Sequence, residues 1–297
     1  MNKLILAAGF AAVMASCGVS NAEFDEGQGD DDASAELSTT KDTFIRLRRD
    51  IRRCVSPMCG GYWVRDLNST MQEKYVSGLD FTGSFLDEAE QLDAVNGGED
   101  TILFGRLGPS ERRFNTRTFK VVSAFRGLPG NTLDTSDKFY GVGQTKIACF
   151  TTPCANLQAT RLNRATGHVM ATEVDISAAQ KTLVDGSWLM NRVLQGRAVV
   201  AGEIVKSRGV NVVLHASQIY IQLPDQTQSC PRVAAPRCRN GEIAAWSRNE
   251  NRCNVPVGCT PPGVCAAFVP SCDPGYINVS FQNICTRWVC EPEFLHD

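Results

Sequence analysis

The cysteines are the residues of this 297-residue chain whose type and spacing best suit a defined chemistry. Two pairs share one spacing, Cys54-x4-Cys59 and Cys149-x4-Cys154, and each pair encloses a proline. Four such thiolates are the ligand set of a common structural zinc site, and a disulfide within each pair is the alternative. We favour the disulfides, because the start of the chain predicts export into an oxidising compartment. The C-x-x-C spacing of thioredoxin-type redox pairs does not occur.

The first 22 residues predict a signal peptide. Lys3 precedes an uninterrupted run of apolar or small residues, Leu4 to Ala15, which is too short to span a bilayer and has the length of a signal-peptide core. Met14-Ala15-Ser16-Cys17 resembles the lipobox of bacterial lipoproteins, so we predict that Cys17 is acylated; cleavage after Ser20-Asn21-Ala22 is the alternative. Both routes remove Cys17 from thiol chemistry and leave twelve cysteines, an even number that favours disulfides. The predicted location is extracytoplasmic, as an outer-membrane lipoprotein or a secreted protein.

Eight of these twelve cysteines lie in the last part of the chain, residues 227–297. They form two sets of four with similar spacing: Cys230, Cys238, Cys253 and Cys259, then Cys265, Cys272, Cys285 and Cys290. Units as short as these cannot rely on a hydrophobic core, so two disulfides in each unit are the expected substitute. The spacing leaves the pairing open. We therefore predict a cysteine-rich tail of two small modules.

An internal duplication with an offset of 95 residues precedes the tail. The two C-x4-C pairs are separated by this offset, and residues 102–107 match residues 199–204 after a slip of two residues. The same offset relates three further pairs of positions: Leu67-Asn68 with Leu162-Asn163, Asp80 with Asp175, and Leu128-Pro129 with Leu223-Pro224. Matches in several separated segments predict two copies of one domain, residues 42–130 and 131–226.

Each copy is predicted to be a small β-rich α+β domain with one helix. Alternating segments on both sides of each C-x4-C pair predict two strands joined by a stapled turn, and three more strands follow. The helix is clearest at residues 84–95, where Ser84 would cap its start; Gly186 interrupts the corresponding stretch of the second copy. Residues 23–41 are acidic and almost free of large apolar side chains, which predicts a flexible linker after the signal peptide.

Histidines are few, and the sequence contains none of the short catalytic or metal-binding motifs considered below. His168, His215 and His296 stand without a second histidine or a glutamate at metal-ligand spacing, and H-E-x-x-H, G-x-S-x-G and phosphate-binding glycine loops are absent from the sequence. We therefore predict no catalytic residue, no cofactor and no metal, and we expect that the protein is not an enzyme. An unrecognised extracytoplasmic hydrolase is kept as an alternative, with Asp80 and Asp175 as its candidate carboxylates because their positions match between the copies.

One dense basic cluster comprises Arg46, Arg48, Arg49, Arg52 and Arg53. Three of these arginines would share a face of a strand, which could meet an anionic surface such as lipopolysaccharide or an acidic glycan. We favour the alternative of a solvated face paired with its own acidic neighbours. The net charge of −2 gives no general attraction to nucleic acid. The predicted partners are a membrane, through the lipid anchor, and an envelope protein or glycan.

The stretch Arg53-Cys54 to Val64 (RCVSPMCGGYWV), followed by Leu67-Asn68, resembles a domain-of-unknown-function family found in predicted bacterial secreted proteins and lipoproteins. The resemblance covers both copies, roughly residues 42–226, although the second copy has Cys154-Ala155-Asn156 in place of Cys-Gly-Gly. The resemblance implies an extracytoplasmic compartment and an architecture, and it implies no activity and no site residue for this chain.

The tail supplies the one sharp alternative to a general binding role. Short loops fixed by proline and flanked by disulfides are what rigid protease inhibitors present to their targets, since preorganisation lowers the entropic cost of binding. The candidates are Cys259 to Cys265 and Arg237-Cys238-Arg239. The leading expectation is a binding or structural role in the cell envelope, with protease inhibition through the tail as the second.

Overall fold

The computed structural model describes residues 37–150, 152–206, 211–225, 230–265 and 268–296. The predicted signal peptide, Cys17 and residues 23–36 of the predicted linker lie outside the described residues. Leu37 is buried, and its backbone N–H donates to the Asp66 carboxylate at 3.3 Å. The backbone N–H of Leu107 donates to the Ser38 carbonyl at 3.0 Å. We predicted a flexible linker up to residue 41, but the chain already packs against the sheet at Leu37 and Ser38.

The two copies contain the same elements in the same order. The first copy has β1 (Thr43–Arg49), β2 (Tyr62–Asp66), β3 (Lys74–Val76), β4 (Gly78–Asp80), α1 (Glu88–Asn96), β5 (Thr101–Leu107) and β6 (Thr118–Gly127). The second copy has β7 (Lys138–Gln144), β8 (Leu157–Arg161), β9 (His168–Ala171), β10 (Glu173–Asp175), α2 (Gly186–Leu194), β11 (Ala198–Lys206) and β12 (Val212–Leu223). The described part of the chain is thus β-rich with one α-helix in each copy, and a short 3-10 turn (Gly98–Asp100) follows α1.

All the strands of both copies belong to one twelve-stranded sheet. Its order is β3-β2-β1-β5-β6-β12-β11-β7-β8-β9, so the second half repeats the first half in reverse; β4 adds to β6 and β10 adds to β12 in parallel. The segments that we predicted to be tandem domains therefore share a sheet. The reason is that β6 and β12 pair antiparallel, which removes the edge strand that each copy would expose alone.

The β6–β12 pair is symmetric about its centre. Arg126 lies opposite Ile221, and these two residues are the same position under the 95-residue offset. On either side, Phe125 lies opposite Gln222 and Gly127 lies opposite Tyr220, which are again equivalent pairings. The two copies are consequently related by a pseudo-twofold axis through this pair of strands.

Three hydrophobic cores lie on the two faces of the sheet. The first copy packs one core beneath α1, and the second copy packs a larger one beneath α2. The third core is shared by both copies and is formed by Leu67, Ile102, Phe125, Phe139, Val199, Ala201 and Tyr220. Ala124 and Phe125 are neighbours on β6 and enter different cores. Because successive side chains of a strand point to opposite faces, the shared core lies on the face away from the helices.

Two asparagines connect the copies reciprocally across the shared core. Asn68 accepts from the backbone N–H of Phe139 at 2.9 Å and donates to the carbonyls of Phe139 and Leu162 at 2.8 and 2.9 Å. Its counterpart Asn163 accepts from the N–H of Phe44 at 2.9 Å and donates to the carbonyls of Phe44 and Leu67. Strands β1 and β7 are not neighbours in the sheet, so these bonds show that the sheet curls until its two halves meet.

Helix α1 begins later than the sequence predicts, and the glycine expected to interrupt the second helix lies at its start. Asp87, not Ser84, caps α1, and it forms a capping box in which Glu90 bonds back to the Asp87 backbone. The Ser84 hydroxyl donates instead to the Phe81 carbonyl at 2.8 Å. Gly186 does not interrupt α2 but is its first residue, because Asp185 caps the helix immediately before it.

Matching β-bulges bend both copies at a glycine, and they lead to a first prediction. The pairing shifts at Gly105 on β5 and at Gly202 on β11. A Cβ on either glycine would overlap a backbone carbonyl of the neighbouring strand, that of Lys120 or His215.

We expect Gly105→Ala and Gly202→Ala each to lower the free energy of unfolding by about 1–3 kcal/mol, measured by urea denaturation. Gly143→Ala is the control, because a Cβ there meets open space on β7; an equal effect at Gly143 would contradict this account.

The tail consists of two hairpins, β13 (Ile243–Arg248) with β14 (Asn254–Thr260) and β15 (Tyr276–Gln282) with β16 (Thr286–Pro292). The second hairpin contributes Tyr276 and Cys290 to the core beneath α2. The backbone N–H of Cys290 donates to the Leu183 carbonyl at 2.9 Å. The tail therefore completes the second copy rather than following it as an independent appendage.

Candidate functional site

The structure joins the twelve described cysteines in six disulfides. The pairs are Cys54–Cys59, Cys149–Cys154, Cys230–Cys253, Cys238–Cys259, Cys265–Cys285 and Cys272–Cys290. Each tail module thus joins its first cysteine to its third and its second to its fourth. So many disulfides indicate an oxidising, extracytoplasmic environment. In the described part of the chain, no helix is long and apolar enough to cross a membrane.

The first cysteine loop, residues 50–61, connects β1 to β2 and is organised by a buried carboxylate. Asp50 is 4 % exposed and accepts two side-chain hydrogen bonds from Arg52, Nε to Oδ1 and Nη2 to Oδ2, both at 2.9 Å. The Trp63 indole N–H donates to the same carboxylate at 3.4 Å. These bonds fix the start of the loop against the sheet.

Aromatic side chains hold the other end of this loop. The Arg52 guanidinium lies over the rings of Trp63 and Tyr75, 4.8 and 5.2 Å from their centroids. The Tyr75 hydroxyl donates to the Pro57 carbonyl at 2.9 Å, and Arg52 Nη2 donates to the Met58 carbonyl at 3.2 Å. Since the disulfide also closes the loop, its backbone is fixed at the start, the tip and the end.

The fixed loop presents apolar side chains to solvent. Ile51 and Val55 are 85 % and 74 % exposed, and Met58 is half exposed. Exposed large apolar side chains can mark an interaction site, and three of them lie within this one short loop. This combination of rigidity and apolar exposure makes the first cysteine loop the candidate binding site.

The second cysteine loop, residues 145–156, occupies the equivalent place between β7 and β8 and differs in chemistry. Its Phe150 is fully exposed. Under the 95-residue offset, however, Ile147, Gln158 and Met170 stand where the first copy has Arg52, Trp63 and Tyr75. The carboxylate–guanidinium–aromatic support is therefore specific to the first copy.

The pKa of Asp50 gives a second prediction. Hydrogen bonds from Arg52 lower the pKa of the Asp50 carboxyl from 3.8 to about 2. A lowered folded-state pKa stabilises the fold above the unfolded value, and this contribution is lost as the pH falls from about 4 through about 2. In a carboxyl-carbon NMR titration we expect a midpoint near 2 for Asp50. Arg52→Gln is expected to raise the midpoint, whereas Arg53→Gln is expected to leave it unchanged; a rise in both variants would contradict the assignment.

The basic cluster is largely neutralised, as the favoured alternative predicted. Arg46 pairs with Glu99 at 3.6 Å and Arg48 pairs with Glu73 at 2.6 Å, while Arg52 is held by Asp50. Two arginines remain: Arg49 and Arg53, beside and within the first cysteine loop, are exposed and form no ion pair with the described residues. The cationic surface is therefore smaller than the sequence suggests and is concentrated at this loop.

The candidate carboxylates of the hydrolase alternative are not brought together. Asp80 lies opposite Lys120 on β6, and Asp175 lies opposite His215 on β12. Because β6 and β12 are antiparallel, these positions are roughly 40 Å apart along the strands. Each aspartate serves its own turn: Asp80 accepts from Thr82 and Asp175 accepts from Ser177, and these hydrogen bonds lower the pKa of both.

The three histidines lie in separate places. His168 is exposed at the start of β9, the His215 ring contacts Asp175 at 3.0 Å, and the His296 ring contacts Glu291 at 2.7 Å. Among the described residues, no group of three histidine, cysteine, aspartate or glutamate side chains is placed to hold a metal ion.

A buried ionic cluster that the sequence did not reveal binds the tail to the second copy. Arg192 on α2 is fully buried and donates from Nε to Asp225 at 2.5 Å. Asp225 also contacts Arg252 of the first tail module at 3.4 Å. Arg252 reaches Glu291 of the second module at 2.6 Å, and Arg248 contacts Glu291 as well. Burial lowers the pKa of Arg248 and Arg252 because it disfavours the charged form of a guanidinium.

The role of this cluster is structural. Its members are closed off by α2 and the two hairpins, and Arg248, Arg252 and Glu291 are each less than a tenth exposed. No local signal could have found it, because its members come from α2, the end of β12 and both tail modules.

Comparison with known proteins places this architecture in a family. The sequence matches a domain of unknown function, DUF6748, over residues 43–226, which spans both copies and ends before the tail. An uncharacterized protein of Dictyostelium discoideum is 31 % identical over 256 residues, covering 82 % of this chain and 85 % of that protein. No solved structure matches. The resemblance drawn from the first cysteine loop is confirmed: the chain belongs to the DUF6748 family, whose domain has no known function.

Proposed function

We propose that this protein is an extracytoplasmic binding protein and that the first cysteine loop is its binding surface. The observation that carries the proposal is that this loop is fixed by Asp50, Arg52 and Tyr75 while Ile51 and Val55 project into solvent. A surface that is already ordered loses little conformational entropy on binding, so its apolar contacts contribute more of their free energy to affinity. The candidate partners are an envelope protein or a glycan.

Membrane attachment forms part of the proposal. The lipobox ending at Cys17 supports anchoring by acylation, as expected of a bacterial lipoprotein. Metabolic labelling with a fatty acid, with and without Cys17→Ala, tests it. Label in the native chain alone is the expected result, and label in neither chain would favour the freely secreted form.

The binding role is tested by cross-linking the full chain in cells and identifying captured molecules by mass spectrometry. Val55→Asp is expected to abolish capture, because it places a charge at the apolar tip without touching the bonds that hold the loop. Val257→Asp is the matched control, since Val257 is similarly exposed but lies on β14 in the tail. Capture that survives Val55→Asp, or that is lost equally in the control, would contradict the assignment to this loop.

Protease inhibition is the second candidate, and one observation favours it. The segment from Pro261 to Cys265 is exposed throughout, and Val264 is fully exposed. Its ends are fixed by different disulfides, Cys238–Cys259 and Cys265–Cys285. Residual activity of a panel of serine proteases with the full chain tests it: inhibition that Val264→Asp removes would support this role, and cleavage of the segment without inhibition would reject it.

A further inference from the structure

We propose that the first cysteine loop inserts into an anionic lipid surface. This inference rests on the proposed function, because it concerns the same binding surface, and it names an anionic lipid as the partner in place of an envelope protein or a glycan. It follows from the kind of side chains exposed, from the sign of the charges around them and from the state of the loop backbone.

The exposed side chains of the loop suit hydrocarbon better than a protein pocket. Ile51 and Val55 are branched aliphatic side chains, and Met58 is a thioether that ends in a methyl group. Hot spots of protein interfaces are enriched in tryptophan, tyrosine and arginine. Here Trp63 and Tyr75 instead face Arg52 and hold the loop from within. Aliphatic groups gain by transfer to lipid without needing a complementary shape.

The charge that surrounds these groups is positive. Arg49 and Arg53 lie two positions before Ile51 and Val55 in the sequence, are exposed and form no ion pair with the described residues. The only carboxylate of the loop, Asp50, is buried and held by Arg52. Each cation near an anionic membrane surface contributes favourably to attachment. The loop thus combines an apolar tip with a cationic flank, which complements anionic headgroups above hydrocarbon.

Several backbone polar groups at the tip of the loop are already hydrogen-bonded within the protein. Unpaired backbone polar groups are costly in lipid. The N–H of Met58 donates to the Val55 carbonyl at 3.1 Å, and the carbonyls of Pro57 and Met58 accept from Tyr75 and Arg52. Pro57 itself has no N–H. The N–H of Met58 and the carbonyls of Val55, Pro57 and Met58 therefore already have hydrogen-bond partners inside the protein.

A lipid anchor at Cys17 would hold the chain at a membrane whether or not the loop inserts. The test therefore uses the full chain with Cys17→Ala, so that no acyl chain contributes to binding.

Sedimentation with phosphatidylcholine vesicles, with and without phosphatidylglycerol, tests the inference. We expect partitioning roughly tenfold higher with the anionic lipid, and a comparable loss in Arg49→Gln/Arg53→Gln. Val55→Asp is expected to abolish binding, whereas Phe150→Asp at the second cysteine loop is expected to leave it unchanged. Equal binding to both vesicles, or loss of binding only in Phe150→Asp, would overturn the inference.

The outcome also separates this inference from the proposed function. If neither vesicle is bound but Val55→Asp still removes capture in cells, the loop binds a protein or glycan and the lipid assignment is wrong. If Val55→Asp changes neither vesicle binding nor capture, both proposals fail.

Discussion

Replacing Glu291 with glutamine is expected to lower the free energy of unfolding by about 3–5 kcal/mol, because it leaves buried guanidinium charges without their carboxylate. Glutamine keeps the size of the side chain and removes only the charge. Arg248 and Arg252 are 7 % and 8 % exposed. In the variant, Arg248 keeps its longer contact with Asp185, and Arg252 keeps its contact with Asp225, which also binds Arg192. Guanidinium denaturation without reductant measures the change while the disulfides stay intact.

The matched control is Glu293→Gln, two residues further along the chain. Glu293 is exposed and forms no ion pair with the described residues, so a change within about 0.5 kcal/mol is expected. If the two variants were equally stable, the cluster would have to be hydrated and screened far more than its burial implies.

The second large effect is expected at the reciprocal asparagines. Asn163→Ala is expected to lower the free energy of unfolding by about 2–4 kcal/mol, because it removes three hydrogen bonds to Phe44 and Leu67 and leaves their backbone groups unsatisfied. Thermal or urea unfolding of the full chain measures it. The change acts on the contact between the two copies, so the whole sheet is expected to lose stability together.

Two controls separate the hydrogen bonds from the backbone conformation. Asn163 has φ 58°, in the left-handed region, and so does the exposed Asn115 with φ 51°. Asn115→Ala therefore carries the conformational cost without the connection between copies, and a loss of about 1 kcal/mol is expected. Asn163→Gly relieves the conformation and still loses the bonds, so it is expected to remain strongly destabilised. Recovery of full stability in Asn163→Gly would show that the hydrogen bonds contribute little.

The sequence predicts an internal duplication, but it does not predict that both segments belong to one sheet. The 95-residue offset follows from matched cysteines and the Leu-Asn pair, and these are visible in the sequence alone. The pairing of β6 with β12 depends on two edges that are far apart in the chain and have no distinguishing residue pattern. The role of Asn68 and Asn163 could not be predicted either, because an asparagine in a sequence indicates only that a turn is favoured there.

The candidate site was partly visible. The C-x4-C spacing and the arginines drew attention to residues 46–59, yet which arginines are neutralised depends on Glu73 and Glu99, which arrive from other elements. The support of the loop by Trp63 and Tyr75 depends on β2 and β3 being neighbours. The ionic cluster was invisible, since an arginine in a helix normally reads as a surface residue. The start of α1 was misplaced because Asp87, and not the earlier candidate Ser84, caps the helix.

The late position of Glu291 sets an order in which the molecule can be finished. The ribosome synthesises α2 roughly a hundred residues before it adds Glu291. During that interval the two hairpins that enclose Arg192 are absent. Tyr276 and Cys290, which fill the core beneath α2, are also still to come. The core beneath α2 and the ionic cluster can therefore be completed only after the tail has been synthesised.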